Sequence, residues 1–349
     1  MTQAIFAIPG DKDRRTGGFI YEATVLRFLN ALGCETRHLV LPDSFPDPTP
    51  EDMARTLEIL RAVPADLPVI LDGLVFGSIA PEGLARVKAP VIAMIHHPLG
   101  LETGLDAKRA AFLRANEAAA LRHTAHVIVP SLHTAQILTR DFDVDADRIT
   151  IAAPGFPVSE VASAPIDPPL ILSVGLLAER KGHDVLIAAL AGLQDLPWQA
   201  EIVGKPHDEG FAKRLYAKAE ASGLSDRLHF LGEVSEAQIA ERYSAASIFA
   251  LATRYEGYGM VLSEAMQYGL PVVSCAVGAV PDTVGEAGIL VPADDPEAFG
   301  RALRKLLTDP AERAYYSAAA RKTAAGLPTW EDTARRFTEV IAMLARQRR

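Results

Sequence analysis

The residues best equipped for chemistry are two glutamates, Glu256 and Glu264, eight positions apart around the glycine-rich run Tyr255-Glu-Gly-Tyr-Gly-Met260. Residues 247–251 are a short apolar run of strand length. From Tyr258, the residues Met260, Val261, Ala265, Met266 and Tyr268 fall at helical spacing, until Gly269-Leu-Pro271 stops the helix. Strand, glycine turn and helix in that order make an anion site. Gly257 and Gly259 let the backbone approach a ligand closely, so the first amides of the helix, unpaired and at its positive end, can point at a phosphate. Glu264 is placed two turns further in than Glu256 on nearly the same face, since eight residues at roughly 100° each come to about 80° past a double turn. One carboxylate can then reach a sugar near the phosphate while the other reaches a second hydroxyl-bearing group.

The elements that must position these side chains alternate along the chain. Residues 4–8 form an apolar strand ended by Pro9-Gly10; a charged run to Arg15 and the pair Gly17-Gly18 then lead into an amphipathic helix over 19–32. Strands near 35–40, 69–71 and 91–95 alternate with helices near 50–62 and 81–87, and strands at 126–129 and 149–151 follow the long helix 106–124, with Ser131 capping the helix between them. Strands separated by helical stretches of this length predict right-handed crossovers and a parallel sheet. His96-His97-Pro98 comes directly after the strand at 91–95, where an open parallel sheet binds its ligands. A Pro-, Ala- and Ser-rich stretch from Pro154 to Pro169 reads as a linker. Beyond it a second alternation begins with a strand at 170–174 and Glu179-Arg-Lys-Gly-His183 entering a helix at 184–193. It continues through strands at 201–204, 227–234, 247–251, 271–275 and 288–292, and ends in helices at 296–307, 311–324 and 330–349. The expected fold is α/β with two Rossmann-like domains facing a cleft, residues 1–160 and 169–329, the last helix crossing back onto the first domain.

Composition narrows the function classes. With 349 residues, 49% hydrophobic and 23% charged, the chain has the make-up of a two-domain globular protein. A net charge of −9 argues against a nucleic-acid surface; only Arg346-Gln-Arg-Arg349 is locally basic. Cys34 and Cys275 are too few and too far apart for a disulfide framework, and with no basic leader or long apolar run a cytoplasmic location is expected. The run Asp141-Phe-Asp-Val-Asp-Ala-Asp147 invites a metal reading, but an EF-hand loop starting there needs glycine and glutamate where the chain has Ala146 and Ala152, so a solvated turn and no metal site are expected. Lys108, Arg109, Arg114 and Arg122 on the helix 106–124 form either an ordinary solvated face or a peripheral contact with an anionic membrane.

The segment from Glu256 to Met266 followed by Gly-Leu-Pro-Val-Val273 resembles the Glu-x7-Glu signature of retaining glycosyltransferases of family 4, which have the GT-B architecture. The resemblance spans nearly the whole chain and is strongest from 170 to 300. It implies that Lys181, in a segment similar to the family's Val-Gly-x-Leu-x-x-Arg-Lys-Gly, binds the donor diphosphate, and that Arg180 is the candidate to supply the cationic contact missing where relatives carry arginine and this chain has Leu176. It implies that His96 meets the donor sugar, that the Gly17-Gly18 loop lies against diphosphate and acceptor, and that the loop after the strand ending at Val234 receives the base. His97 has no such match.

A UDP- or GDP-linked sugar is thus the expected substrate, held by the C-terminal domain with Gly257, Gly259, Met260, Val261 and Glu264, with no separate cofactor. The acceptor is a glycan, a lipid or a small molecule, held by the N-terminal domain. Negative charge building on the departing phosphate would be met by Lys181, Arg180 and backbone amides. No flanking acid and base of an inverting enzyme is visible, and the resemblance implies retention. A nucleotide-sugar epimerase of the same architecture and an inactive glycan- or nucleotide-binding protein are the alternatives. A NAD enzyme would need the dinucleotide fingerprint, which the first glycine loop lacks.

Overall fold

The computed structural model describes residues 3–14, 16–102, 104–157 and 163–347. Arg15 of the charged run, residues 158–162 of the expected linker, and Arg348 and Arg349 of the basic terminus lie outside the described residues. The chain divides into two compact units, Met1–Pro157 together with Pro328–Arg349, and Val158–Leu327.

The first unit carries six strands, β1 (Gln3–Pro9), β2 (Glu35–Leu41), β3 (Val69–Asp72), β4 (Val91–Met94), β5 (His126–Val129) and β6 (Ile149–Ile151), in the order β2-β1-β3-β4-β5-β6. Every pairing is parallel. Strands β3, β4 and β5 are buried at every position, as a sheet covered on both faces requires, and their apolar runs are what made them visible in the sequence. The helix Ala107–Leu121 starts where the Asp106 side chain accepts from the Arg109 amide, and Leu132–Asp141 where Ser131 accepts from Thr134. The helix Trp330–Gln347 belongs to this unit: Phe337, Val340, Ile341 and Leu344 make its buried stripe, the Phe337 ring lies 6.5 Å from Phe6, and Thr333 Oγ1 donates to the Ala153 carbonyl at 2.8 Å.

Two local expectations change. The first helix runs Gly17–Ala31 with Thr16 as its cap, so Gly17 and Gly18 are its first helical residues and not a loop ahead of it. Between β3 and β4 a helix Gly73–Ser78 precedes a short turn Pro81–Leu84. Asp72 produces the extra helix by accepting the amides of Leu74 and Val75 on Oδ1, at 2.8 and 3.3 Å.

The second unit carries β7 (Leu170–Val174), β8 (Gln199–Val203), β9 (Leu228–Gly232), β10 (Ile248–Leu251), β11 (Val272–Cys275) and β12 (Gly288–Val291), in the order β12-β11-β10-β7-β8-β9 and again parallel throughout. Chain order reverses between β7 and β10, and the crevice beyond the carboxyl ends of two such strands is where an open α/β sheet binds ligands. In the first unit the reversal falls between β1 and β3. No helix among the described residues is long and apolar enough to cross a membrane.

Candidate active site

In the second unit, the loops after β7 and β10 are clamped together. After β7 the chain makes a 3-10 turn over Glu179–Lys181 that ends at Gly182, whose φ of +63° favours glycine and where a Cβ would collide with the Ala252 carbonyl just past β10. The Arg254 amide donates to the Arg180 carbonyl at 2.7 Å. Its guanidinium grips both oxygens of Asp184 at 3.0 and 2.8 Å and Asp294 at 2.8 Å, and also donates to the Glu179 carbonyl.

That clamp brings Lys181 and Glu256 together across 75 positions. Lys181 Nζ donates to Glu256 Oε1 at 2.6 Å, Thr253 Oγ1 lies 3.0 Å from the same oxygen, and Arg180 Nη1 stands 3.5 Å from it while donating to the Tyr255 carbonyl at 2.8 Å. From below, the Ala279 amide donates to the Glu256 carbonyl at 2.9 Å, and Gly278, with φ +54°, leaves room for that carbonyl where any Cβ would collide with it. Glu256 is only 6% exposed. Burial pushes its carboxyl up, but Lys181 and Arg180, with the hydrogen bonds from Lys181 and Thr253, outweigh burial and hold it below the usual glutamate range. Around Glu256 itself, Lys181 and Arg180 therefore set two positive charges against one carboxylate, a local balance that favours an anion.

Glu256 is not on the helix, which corrects the expected face arithmetic. The helix begins at Met260, capped by Gly259 at φ +88°, so Glu256 and Gly257 stand in the preceding loop and eight residues of helical rotation do not separate the two glutamates. Met260 and Val261 supply the first helical amides. Glu264 lies in the second turn, where Oε2 accepts the Tyr243 hydroxyl at 2.9 Å. Burial raises its pKa, with Tyr243 and the charge of Lys181 opposing, so Lys181 acts electrostatically on both glutamates. Val234 lies in the loop between β9 and the helix Glu236–Ala245, whose start is fixed by a capping box between Ser235 and Gln238. His183, fully buried, is pushed down to about 4 by burial and is neutral.

In the first unit, Gly18 and His96 are brought together: a Cβ on Gly18 would lie 3.4 Å from the imidazole. Two further carboxyls join them. His96 Nε2 is 3.2 Å from Glu22 Oε1, the Tyr21 ring meets the imidazole edge-on at 5.2 Å, and Asp72 adjoins Glu22. Burial lifts Glu22 to about 8 against an opposing hydrogen bond from Asp72. Burial and then the Glu22 charge lift Asp72 well above the carboxylate range, while burial lowers His96. Tyr21, Glu22 and Asp72 were not singled out in the sequence.

Other expected features are placed more simply. Asp141 receives both branches of the Arg140 guanidinium at 2.7 Å, and among the described residues no cluster of three or more His, Cys, Asp or Glu could hold a metal ion. Arg109 of the basic helix binds Asp47 and the Pro46 carbonyl and lies over the Phe112 ring, so this one of the four cationic side chains has local partners.

Residues 5–155 match the family described as glycosyl transferase 4-like domain, and residues 159–323 the family described as glycosyl transferases group 1. A D-inositol 3-phosphate glycosyltransferase of Xylanimonas cellulosilytica is 31% identical over 244 residues, covering 64% of this chain and 58% of the relative; one from Corynebacterium urealyticum is 30% identical over 225 residues, covering 58% and 53%. The chain spans little more than half the length of these curated relatives. Among solved structures, sucrose-phosphate synthase from Thermosynechococcus elongatus superposes with a TM-score of 0.85 at 22% identity over 99% of both chains. HepE of Anabaena, solved with UDP and glucose, superposes with a TM-score of 0.76 at 17% identity over 98% of this chain and 99% of that one. Two parallel helix-flanked sheets of this order and two family matches that between them run from residue 5 to residue 323 place the chain in the family-4 glycosyltransferases of the GT-B fold.

Proposed function

We propose that the protein transfers a hexose from a nucleoside-diphosphate sugar to a hydroxyl group with retention of anomeric configuration. The observation that carries this reading is the Lys181–Glu256 pair at the carboxyl ends of β7 and β10, with Arg180 beside it and the helix N-terminus at Met260 following. Lys181 and Arg180 neutralise the diphosphate and then the charge that grows on the departing phosphate, each charge-assisted contact supplying about 1.5–3 kcal/mol. The amides of Met260 and Val261 add donors that need no reorganisation when that charge appears. Glu256, kept anionic by its cations, faces the sugar as positive charge develops at the anomeric carbon, and Glu264 accepts from the ribose hydroxyls. Val234 and its loop receive the base.

The first unit is assigned the acceptor, with Gly17, Gly18 and His96 as its candidate contacts. The relatives act, by name, on D-inositol 3-phosphate, so phosphorylated cyclitols are the first acceptors to test. No divalent ion is required, because side-chain cations and amides take its place. Glu256, Glu264 and Lys181 in one electrostatically linked group favour turnover over an inactive binding role.

The test is product analysis with UDP- and GDP-sugars, incubated with and without inositol phosphates and hexose phosphates. Transfer with the donor's configuration, read by NMR of the isolated glycoside, supports the proposal. An inverted product contradicts the mechanism, and conversion of donor to an isomeric sugar with no acceptor present favours the epimerase.

A further inference from the structure

Tyr243 stands outside every motif considered so far. It lies on the helix Glu236–Ala245, is 3% exposed, and donates its hydroxyl to Glu264 Oε2 at 2.9 Å. The ring that carries this hydroxyl is held on two sides, stacked on Tyr268 with centroids 5.2 Å apart and planes 24° apart, and tilted against Phe249 at 6.0 Å. Burial, then the Glu264 charge, push the phenol's pKa well above its ordinary value, so it stays protonated and remains a donor.

A phenol has one hydrogen to give, and Glu264 Oε2 takes it. Glu264 itself is partly exposed, and among the described residues no hydrogen bond to its Oε1 is found. Without Tyr243 the carboxylate could rotate about its terminal torsion, which has broad wells, and its burial would favour the neutral acid, a weaker acceptor. With Tyr243 in place, the plane of the carboxylate is fixed before any ligand arrives. Pre-organisation of this kind matters most for a ligand that offers two hydroxyl donors at a fixed spacing, as a vicinal diol does.

We propose that Tyr243 is a positioning residue for Glu264, locking its carboxylate as the acceptor for the ribose diol of the bound nucleotide and so setting the preference for ribonucleotides over deoxyribonucleotides. The inference rests on the donor reading given above and adds the residue that makes its sugar-ring contact selective.

Binding of UDP, GDP and their 2′-deoxy counterparts to the full chain, measured by calorimetry, tests it on four proteins: wild type, Tyr243→Phe, Glu264→Gln and the double variant. Tyr243→Phe keeps the ring and its stacking and removes only the hydroxyl; its melting curve reports whether it folds. The wild type should prefer the ribonucleotide by about tenfold, the size of one good hydrogen bond to a charged group. Tyr243→Phe should bring that ratio close to one while leaving the deoxynucleotide's affinity unchanged, and should have no further effect on the ratio in the Glu264→Gln background. A wild-type ratio retained in Tyr243→Phe overturns the inference and leaves the donor reading standing. Should Tyr243→Phe fail to fold, Glu264→Gln decides alone, since a ratio unchanged there removes the contact Tyr243 is said to position. If the wild type binds neither nucleotide, the donor reading falls and this inference with it.

Discussion

Replacing Glu22 by glutamine should flatten the pH dependence of stability of this protein. Glu22 is fully buried beside Asp72 and 3.2 Å from His96, and burial raises its carboxyl from 4.5 to about 8. The folded chain therefore keeps a proton on Glu22 that the unfolded chain releases above about pH 4.5. For a group with a raised folded-state pKa, the stabilisation is complete below the unfolded value and is lost as pH climbs to the folded one, here between about 4.5 and about 8. At about 1.36 kcal/mol per unit, the loss across that window is roughly 5 kcal/mol. Glu117, buried with Oε2 accepting the Leu99 amide at 3.1 Å, is also lifted to about 8 and adds a loss of the same sign. Buried His183 and His96, with lowered pKa values, contribute with the opposite sign over part of this range, so scanning calorimetry from pH 5 to pH 8 isolates Glu22 as the difference between wild type and Glu22→Gln. Relative to Glu22→Gln, which has no proton to lose, the wild type should lose on the order of 10 °C more in Tm across that range for a unit of this size. A constant offset between the curves would reflect only altered hydrogen bonding. Parallel curves would refute the reasoning, since they would mean that Glu22 titrates alike folded and unfolded.

Glu256→Gln should lower kcat by about 10²-fold without weakening the free nucleoside diphosphate, because it removes a negative charge beside Lys181, whereas Glu264→Gln should mainly raise the donor KM and weaken the free nucleotide alike; equal weakening by both would undo the assignment. Single-turnover transfer should survive EDTA, and its loss with restoration by magnesium or manganese would count against cationic side chains as the phosphate's partners. Gly278→Ala should cost roughly 1–3 kcal/mol, read as a lower Tm, and reduce turnover further by displacing the loop that carries Glu256; a variant with wild-type stability would mean the +54° backbone is not required.

Much of this was legible from residue patterns. Strands β3, β4, β5, β10 and β11 are apolar runs bounded by helix starts and glycines, and alternation with helices pointed to parallel sheets, though strand order and the switch points arise from crossovers that no local pattern records. Lys181 and Glu256 were each legible within a motif but not as a pair, since what joins them is the clamp of Gly182 and Arg254 across some 70 positions. The shared helical face failed because Gly257 and Gly259 stand between the glutamates, and two glycines in three residues were reason enough to stop the rotation there. Glu22 did leave a signal: it falls in register with Val25, Leu26 and Leu29, a carboxyl on the buried stripe of its helix. Thr253, Tyr243 and Asp72 left none, since a hydroxyl after a strand, a tyrosine on an amphipathic helix and an aspartate at a strand end are ordinary until the partner is in view.

The central claim, that the second unit is built to hold a nucleoside diphosphate through Lys181, is tested most directly by calorimetric titration of UDP, GDP, uridine and guanosine into the wild type and Lys181→Met. At least one diphosphate should bind the wild type, and Lys181→Met should weaken it by about tenfold or more, the value of a charge-assisted contact, while the matching nucleoside binds both proteins alike. Absence of binding by either diphosphate, or equal affinity of both proteins for it, would contradict the account.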